Sequence, residues 1–73
     1  MAIVKRSVVI KGRKTSISLE DEFWTGLKVV AAAHDATISD TIAAIETARG
    51  PRDNLSSAVR LVVLAHYRDA VMR

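Results

Sequence analysis

Cysteine is absent from the 73 residues, so neither a disulfide nor a thiolate metal site can hold this chain together. The two histidines, His34 and His66, have no carboxylate-rich cluster beside them, which makes a poor zinc site. Proline occurs once, and the three glycines, Gly12, Gly26 and Gly50, are too scattered for a phosphate-cradling loop. The only aromatics are Phe23, Trp24 and Tyr67, so aliphatic and alanine packing must supply the core. The longest uninterrupted apolar runs, Val29–Ala33 and Leu61–Ala65, have five residues each, against about 20 for a membrane span. Val8–Ile10 is far shorter than a secretory h-region of at least about 7 residues. These absences lead to the expectation of a cytoplasmic protein of bacterial size, with no membrane association, no metal and no cofactor.

Small size adds a constraint. A domain of this length buries only about 60% of the surface of its unfolded chain and usually relies on a disulfide, a metal or a partner subunit. With the first two excluded, oligomerisation is the staple left. The chain is nonetheless globular in composition, with 49% hydrophobic residues.

Negative charge is missing from one end. Residues 1–19 carry Lys5, Arg6, Lys11, Arg13 and Lys14 and no acidic residue, a local net of +5. The remaining residues carry six Lys/Arg against eight Asp/Glu, a net of −2, and the two parts together give the overall +3. A basic arm on a slightly acidic body points to a polyanion met by the arm. The plainer alternative is a solvated, frayed N-terminus.

The pattern along the chain places these charges on elements. Residues 13–19 alternate in period two, with Thr15, Ile17 and Leu19 on one face and Lys14, Ser16 and Ser18 on the other, as in a half-buried strand. Before it, residues 1–12 form a basic arm or strand. Gly12 marks a bulge, a bend or a tight turn. Ser7–Ile10 can extend the ribbon, fold back as a hairpin or lie loose, and three consecutive apolar residues favour an ordered strand. A helix over 20–35 opens on Glu20, Asp21 and Glu22, which suit a helix N-terminus. It carries Phe23, Leu27, Val30 and His34 at helical spacing, while Gly26 weakens it unless close packing needs a glycine. After the turn Asp35-Ala36, a helix over 37–49 is capped by Thr37 with Asp40 at N3 and presents Ile38, Ile42 and Ile45. Arg49-Gly50-Pro51 ends it. Asp53 or Asn54 caps a third helix over 54–71, whose stripe of Leu55, Val59, Val62 and His66 is widened by Ala58, Leu61, Ala65 and Tyr67. That apolar surface is broad for one helix in so small a protein and is read as buried in a dimer.

Catalysis finds no footing here. A nucleophile needs a base and an orienting group within hydrogen-bond reach, whereas His34 and His66 end or interrupt apolar stripes and read as partly buried packing residues. The strand is the stronger candidate. A two-stranded antiparallel ribbon fits a major groove about 12 Å wide, with its outward side chains toward base edges. A single strand over 13–19 cannot make a ribbon, but two copies in a dimer can. Free N–H groups at the start of the second helix, around Thr37, Ile38 and Ser39, could clamp a DNA phosphate.

The stretch Thr15–Ile45 resembles the ribbon-helix-helix superfamily of Arc- and MetJ-like repressors, which are intertwined homodimers. Nearly the whole chain is similar to a short bacterial ribbon-helix-helix family predicted to bind DNA. The resemblance rests on Arg6-Ser7, Gly12, Thr15-Ser16-Ile17-Ser18-Leu19-Glu20, Phe23-Trp24 with Leu27, and Asn54-Leu55-Ser56-Ser57-Ala58 with Arg60. It implies an α+β, mostly α, homodimer with an intermolecular antiparallel β-ribbon and an additional C-terminal helix, forming one domain over 1–73. It also places Lys14, Ser16 and Ser18 on the DNA face; much of the affinity is then expected from Lys5, Arg6, Lys11, Arg13 and Lys14 on phosphates. The dimer core implied is Thr15, Ile17, Leu19, Phe23, Leu27, Val30, Ile42 and Ile45. Two departures stand out: Asp35-Ala36 replaces the glycine usual in the inter-helix turn, and the DNA face lacks Arg, Asn or Gln for bidentate base reading. The expected function is sequence-specific or semi-specific duplex DNA binding in transcription regulation. The alternative is an antitoxin-like or adaptor module that meets a protein partner through the apolar face of the third helix.

Overall fold

In a computed structural model that describes residues 2–49 and 54–71, the chain runs β1 (Ile3–Ile10), β2 (Arg13–Glu20), α1 (Asp21–Ala33), α2 (Ile38–Arg49) and α3 (Leu55–Val71). The strands pair with each other, antiparallel, from Ile3 opposite Glu20 to Ile10 opposite Arg13. Only Lys11 and Gly12 separate them, and both have positive φ, 53° and 77°. Positive φ at both central residues marks a type I′ turn, whose twist matches that of the flanking strands. Glycine supplies the second position without strain; Lys11 adopts it at a cost of about 1 kcal/mol.

Of the courses open to the segment before Gly12, it takes the hairpin. Both strands of this antiparallel pair belong to one chain. The two-residue turn closes this hairpin locally.

The helices follow from their ends. Glu20 stays extended (φ −65°, ψ 151°), so β2 runs directly into α1, with Asp21 and Glu22 in the first turn. The C-terminus of α1 closes as a Schellman motif: the Ala36 N–H donates to Ala31 O at 2.9 Å and the Asp35 N–H to Ala32 O at 3.1 Å. Asp35 takes the left-handed position (φ 52°) that glycine usually fills, which short Asp side chains tolerate better than most. His34 sits exposed at this end rather than packed, because the helix terminates before it. Thr37 Oγ1 accepts from the Asp40 N–H at 3.0 Å, and Asn54 Oδ1 from the Ser57 N–H at 3.1 Å, capping α2 and α3. Gly50, Pro51 and Asp53 lie outside the described residues.

One core joins the hairpin to all three helices. Val8 and Ile10 from β1 and Ile17 and Leu19 from β2 meet Leu27, Val30, Ile42, Ile45, Ala58, Val59 and Val63. Of the residues assigned to a dimer core, Ile17, Leu19, Leu27, Val30, Ile42 and Ile45 are therefore buried within a single chain, while Thr15 and Phe23 are half-buried. Strand β1 and helix α3 supply part of the cover over β2, α1 and α2.

Close packing explains Gly26. A Cβ there would stand 2.5 Å from Val63 Cγ1 and 3.3 Å from Tyr67 Cε2, so α1 crosses α3 with no room for a side chain. Alanine gains about 1 kcal/mol of helix propensity, but overpacking against a stiff β-branched neighbour costs about 1–3 kcal/mol. Gly26→Ala is expected to lower the melting temperature, and adding Val63→Ala to relieve that strain. A Gly26→Ala chain that melts higher than the parent in calorimetry would contradict this crossing.

Candidate nucleic-acid interface

Because paired residues share a face, the register divides the hairpin into two sides. The inner side carries Val4, Arg6, Val8 and Ile10 from β1, opposite Leu19, Ile17, Thr15 and Arg13. The outer side carries Ile3, Lys5, Ser7 and Val9, opposite Glu20, Ser18, Ser16 and Lys14. Lys5, Ser7, Val9, Lys14 and Ser16 are exposed, and Ser18 is half-buried. Lys14, Ser16 and Ser18 thus lie together on one surface with Lys5. Ser7 and Val9 belong to the same surface and were missed in the sequence. The signal that locates them is the two-residue spacing at Lys11-Gly12, which fixes the register of β1 against β2.

The five cations of the N-terminal segment do not act alike. Arg6 points inward: its guanidinium lies 4.6 Å from the centroid of the Trp24 ring and donates to Asp21 Oδ1 at 2.8 Å. Arg6 is therefore removed from the outer face, because its odd-numbered neighbours Lys5 and Ser7 take that side. Arg13 donates through Nη2 to both carboxylate oxygens of Glu46, at 2.6 and 2.7 Å. Lys11 Nζ donates to the Thr47 hydroxyl at 2.6 Å, a neutral partner that leaves its charge uncompensated. Among the described residues, Lys5 and Lys14 have neither an ion pair nor a side-chain hydrogen bond. Three uncompensated cations therefore remain on or beside the outer face, where the sequence counts five.

One edge of this surface is met by α3 at Ser18. The pair flanking the two-residue turn, Ile10 and Arg13, exchanges both backbone bonds, so the alternation along β2 aims the N–H and C=O of Lys14, Ser16 and Ser18 away from β1. At Ser18 both groups are taken: its N–H donates to Ser56 Oγ at 3.1 Å, and its carbonyl accepts from Arg60 Nη2 at 3.2 Å. Arg60 Nε also donates to Glu20 Oε1 at 2.9 Å. The Glu20 carboxyl is held below its ordinary range by its own backbone N–H and then by Arg60, against a smaller effect of burial. Arg60 thus neutralises the one carboxylate on the outer face.

The start of α2 is placed apart from the turn. Lys11 and Arg13 are bonded to Thr47 and Glu46, and Ile38 lies nine residues earlier, about 14 Å along the helix at 1.5 Å per residue. The Thr37 hydroxyl is engaged in capping, Ile38 and Ser39 are half-buried, and Asp35 and Asp40 flank them. Elsewhere, among the described residues, no three His, Asp or Glu side chains form a cluster able to hold a metal ion. No helix among them is long and apolar enough to cross a membrane.

Residues 3–67 match a ribbon-helix-helix domain family. No curated protein and no solved structure matches the chain. Ribbon-helix-helix domains are a non-enzymatic fold that typically binds DNA, and they typically do so as dimers. With its two-stranded antiparallel ribbon running directly into successive helices, and a match over nearly its whole length, the chain belongs to the ribbon-helix-helix domain family.

Proposed function

We propose that the protein binds duplex DNA as a homodimer, laying the outer face of the β1–β2 hairpin in the major groove, and that it regulates transcription. The observation that carries this reading is the uncompensated pair Lys5 and Lys14 on a face otherwise made of serines, Ile3, Val9 and a Glu20 paired with Arg60. Two strands about 4.8 Å apart with their side chains fit a groove about 12 Å wide. Lys5, Lys11 and Lys14 reach phosphates or guanine acceptors, Ser7, Ser16 and Ser18 exchange hydrogen bonds with several bases, and Val9 meets a thymine methyl group. Without Arg, Asn or Gln on this face the reading is semi-specific and partly carried by water. Dimerisation is supported by the family and by apolar side chains still exposed on the helices, among them Val29, Leu61, Leu64 and Tyr67.

A second reading takes the same helical surface as a site for a different protein. Leu61, Leu64 and Val71 are 47%, 55% and 83% exposed and fall on the side of α3 opposite its buried residues Ala58, Val59 and Val63. This adaptor reading gains if the DNA titration below shows no binding at low salt.

The test is fluorescence anisotropy of labelled duplex at several salt concentrations. Three cations per protomer on phosphates predict a log–log slope of about −2.7 per protomer and about −5 for a dimer. Lys5→Ala and Lys14→Ala should each flatten the slope by about 0.9 per protomer and leave the melting temperature unchanged. Arg6→Ala should lower the melting temperature and leave the slope alone. Loss of stability in the lysine variants would make those side chains structural.

Arg13 provides a gain-of-function test. Its exposed ion pair with Glu46 is worth about 0–1 kcal/mol, so phosphate and carboxylate compete for the same guanidinium. Glu46→Gln should tighten binding and steepen the slope by about 0.9 per protomer. Unchanged or weaker binding would show that Arg13 does not face the DNA.

A further inference from the structure

We infer that Arg60 is a positioning residue for DNA binding: by holding the Glu20 carboxylate, it keeps the Lys5 ammonium free to meet a phosphate. This rests on the DNA reading above and deepens it by naming what leaves one of its three cations available. Lys5 stands opposite Ser18 and Ile3 opposite Glu20, so Lys5 and Glu20 are diagonal neighbours on the outer face. Diagonal positions lie about 7–8 Å apart, within reach of two long side chains, and opposite charges there attract. Yet Lys5 makes no ion pair among the described residues. The carboxylate is held by Arg60 instead, with Oε1 2.9 Å from Nε.

Three contacts fix the Arg60 guanidinium where it stands. Nε donates to Glu20, Nη2 donates to the Ser18 carbonyl at 3.2 Å, and Cζ lies 6.0 Å from the centroid of the Phe23 ring. The planar fork of arginine serves two acceptors at once while facing an aromatic ring, which a lysine ammonium cannot do in one geometry. The side chains of Arg60 and Glu20 are 29% and 23% exposed, whereas Lys5 lies in solvent. An exposed Lys5–Glu20 pair must immobilise two long side chains for little return. A partly covered pair with two further anchors wins that competition.

With Arg60 removed, the balance changes. Lys14 stands six residues before Glu20 on β2, roughly 20 Å away at about 3.3 Å per residue. Lys5 is then the cation of the outer face that Glu20 can reach, and the pair they form withdraws Lys5 from phosphate. A cation on α3 that never touches the duplex thus decides whether three or two cations per protomer are available to it.

Anisotropy titrations with labelled duplex over a series of salt concentrations, well below the melting temperature of every variant, read this count. Arg60→Gln is expected to flatten the log–log slope by about 0.9 per protomer, as Lys5→Ala does. Combining Arg60→Gln with Lys5→Ala should flatten it no further. Adding Glu20→Gln to Arg60→Gln should restore the slope and bring affinity within about twofold of the wild type. A purely structural role for Arg60 is not rescued in this way, because the Ser18 carbonyl still lacks its guanidinium. Glu20→Gln alone should leave the slope unchanged, since Arg60 stays on Ser18 and Phe23. Arg60→Lys keeps a cation beside Glu20 and should also keep the slope. If Arg60→Gln does not fold, Arg60→Lys and the Arg60→Gln/Glu20→Gln variant carry the test, and a flattened slope in either overturns the inference. Additive flattening by Arg60→Gln and Lys5→Ala, or no rescue by Glu20→Gln, would overturn it as well. So would a slope about 0.9 per protomer steeper in Glu20→Gln, which puts Arg60 itself on a phosphate. If the wild type fails to bind at low salt, the DNA reading fails and the inference with it. If the wild type binds and folded Arg60→Gln shows the same slope, the inference alone falls.

Discussion

Between Ile10 and Arg13 the chain reverses over two residues with positive φ, and the rest of the molecule depends on that reversal. A two-residue turn allows one register, and a register shifted by a single position would exchange the faces of every side chain in β1. With the observed register, Val8 and Ile10 join Ile17 and Leu19 under the helices, and Lys5, Ser7 and Val9 join Lys14 and Ser16 on the outside. The division between a face that packs and a face free to meet a ligand is thus set at Lys11 and Gly12. A chain without disulfides builds its core by packing the β1–β2 hairpin against all three helices.

The same register sorts the cations by chemistry. Arginine is suited to stacking on an aromatic ring and to forked bonds with carboxylates, and Arg6, Arg13 and Arg60 are used in these ways, on Trp24 and Asp21, on Glu46, and on Glu20. Lysine carries a strongly hydrated point charge, and Lys5 and Lys14 keep theirs in solvent. The arginines therefore position the hairpin against the helices while the lysines supply its field. An arm that counts as +5 along the sequence presents a smaller charge to a partner, concentrated on one face.

Much of this was legible beforehand. The alternation of Thr15, Ile17 and Leu19 against Lys14, Ser16 and Ser18 encodes a half-buried strand directly, and the helix stripes, with Thr37 before α2 and Asp53 or Asn54 before α3, announce the two helices. The family blocks around Thr15–Glu20 and Asn54–Ala58 pointed to the fold, and Ser18 and Ser56 turn out to meet across them. Less legible was β1, since Ile3-Val4 and Val8-Val9-Ile10 place apolar residues on both faces and hide the period of two. The inward turn of Arg6 could not be read locally, because its partners Asp21 and Trp24 lie 15 and 18 residues away. Nor could the α3 contact at Ser18, which depends on α3 docking from almost 40 residues downstream. Asp35 in a position usually held by glycine obscured a Schellman turn for a similar reason: the hydrogen bonds that define it are made by the backbone.

The central claim is that the outer face of the intrachain hairpin is the surface that meets DNA. The most direct measurement is nuclear magnetic resonance mapping of backbone amides during titration with a short duplex. The account predicts the largest shifts at Lys5, Ser7, Val9, Lys14 and Ser16, with small ones at Leu61, Leu64 and Val71 on α3. Shifts concentrated on α3 or at the start of α2, with the hairpin unchanged, would contradict it.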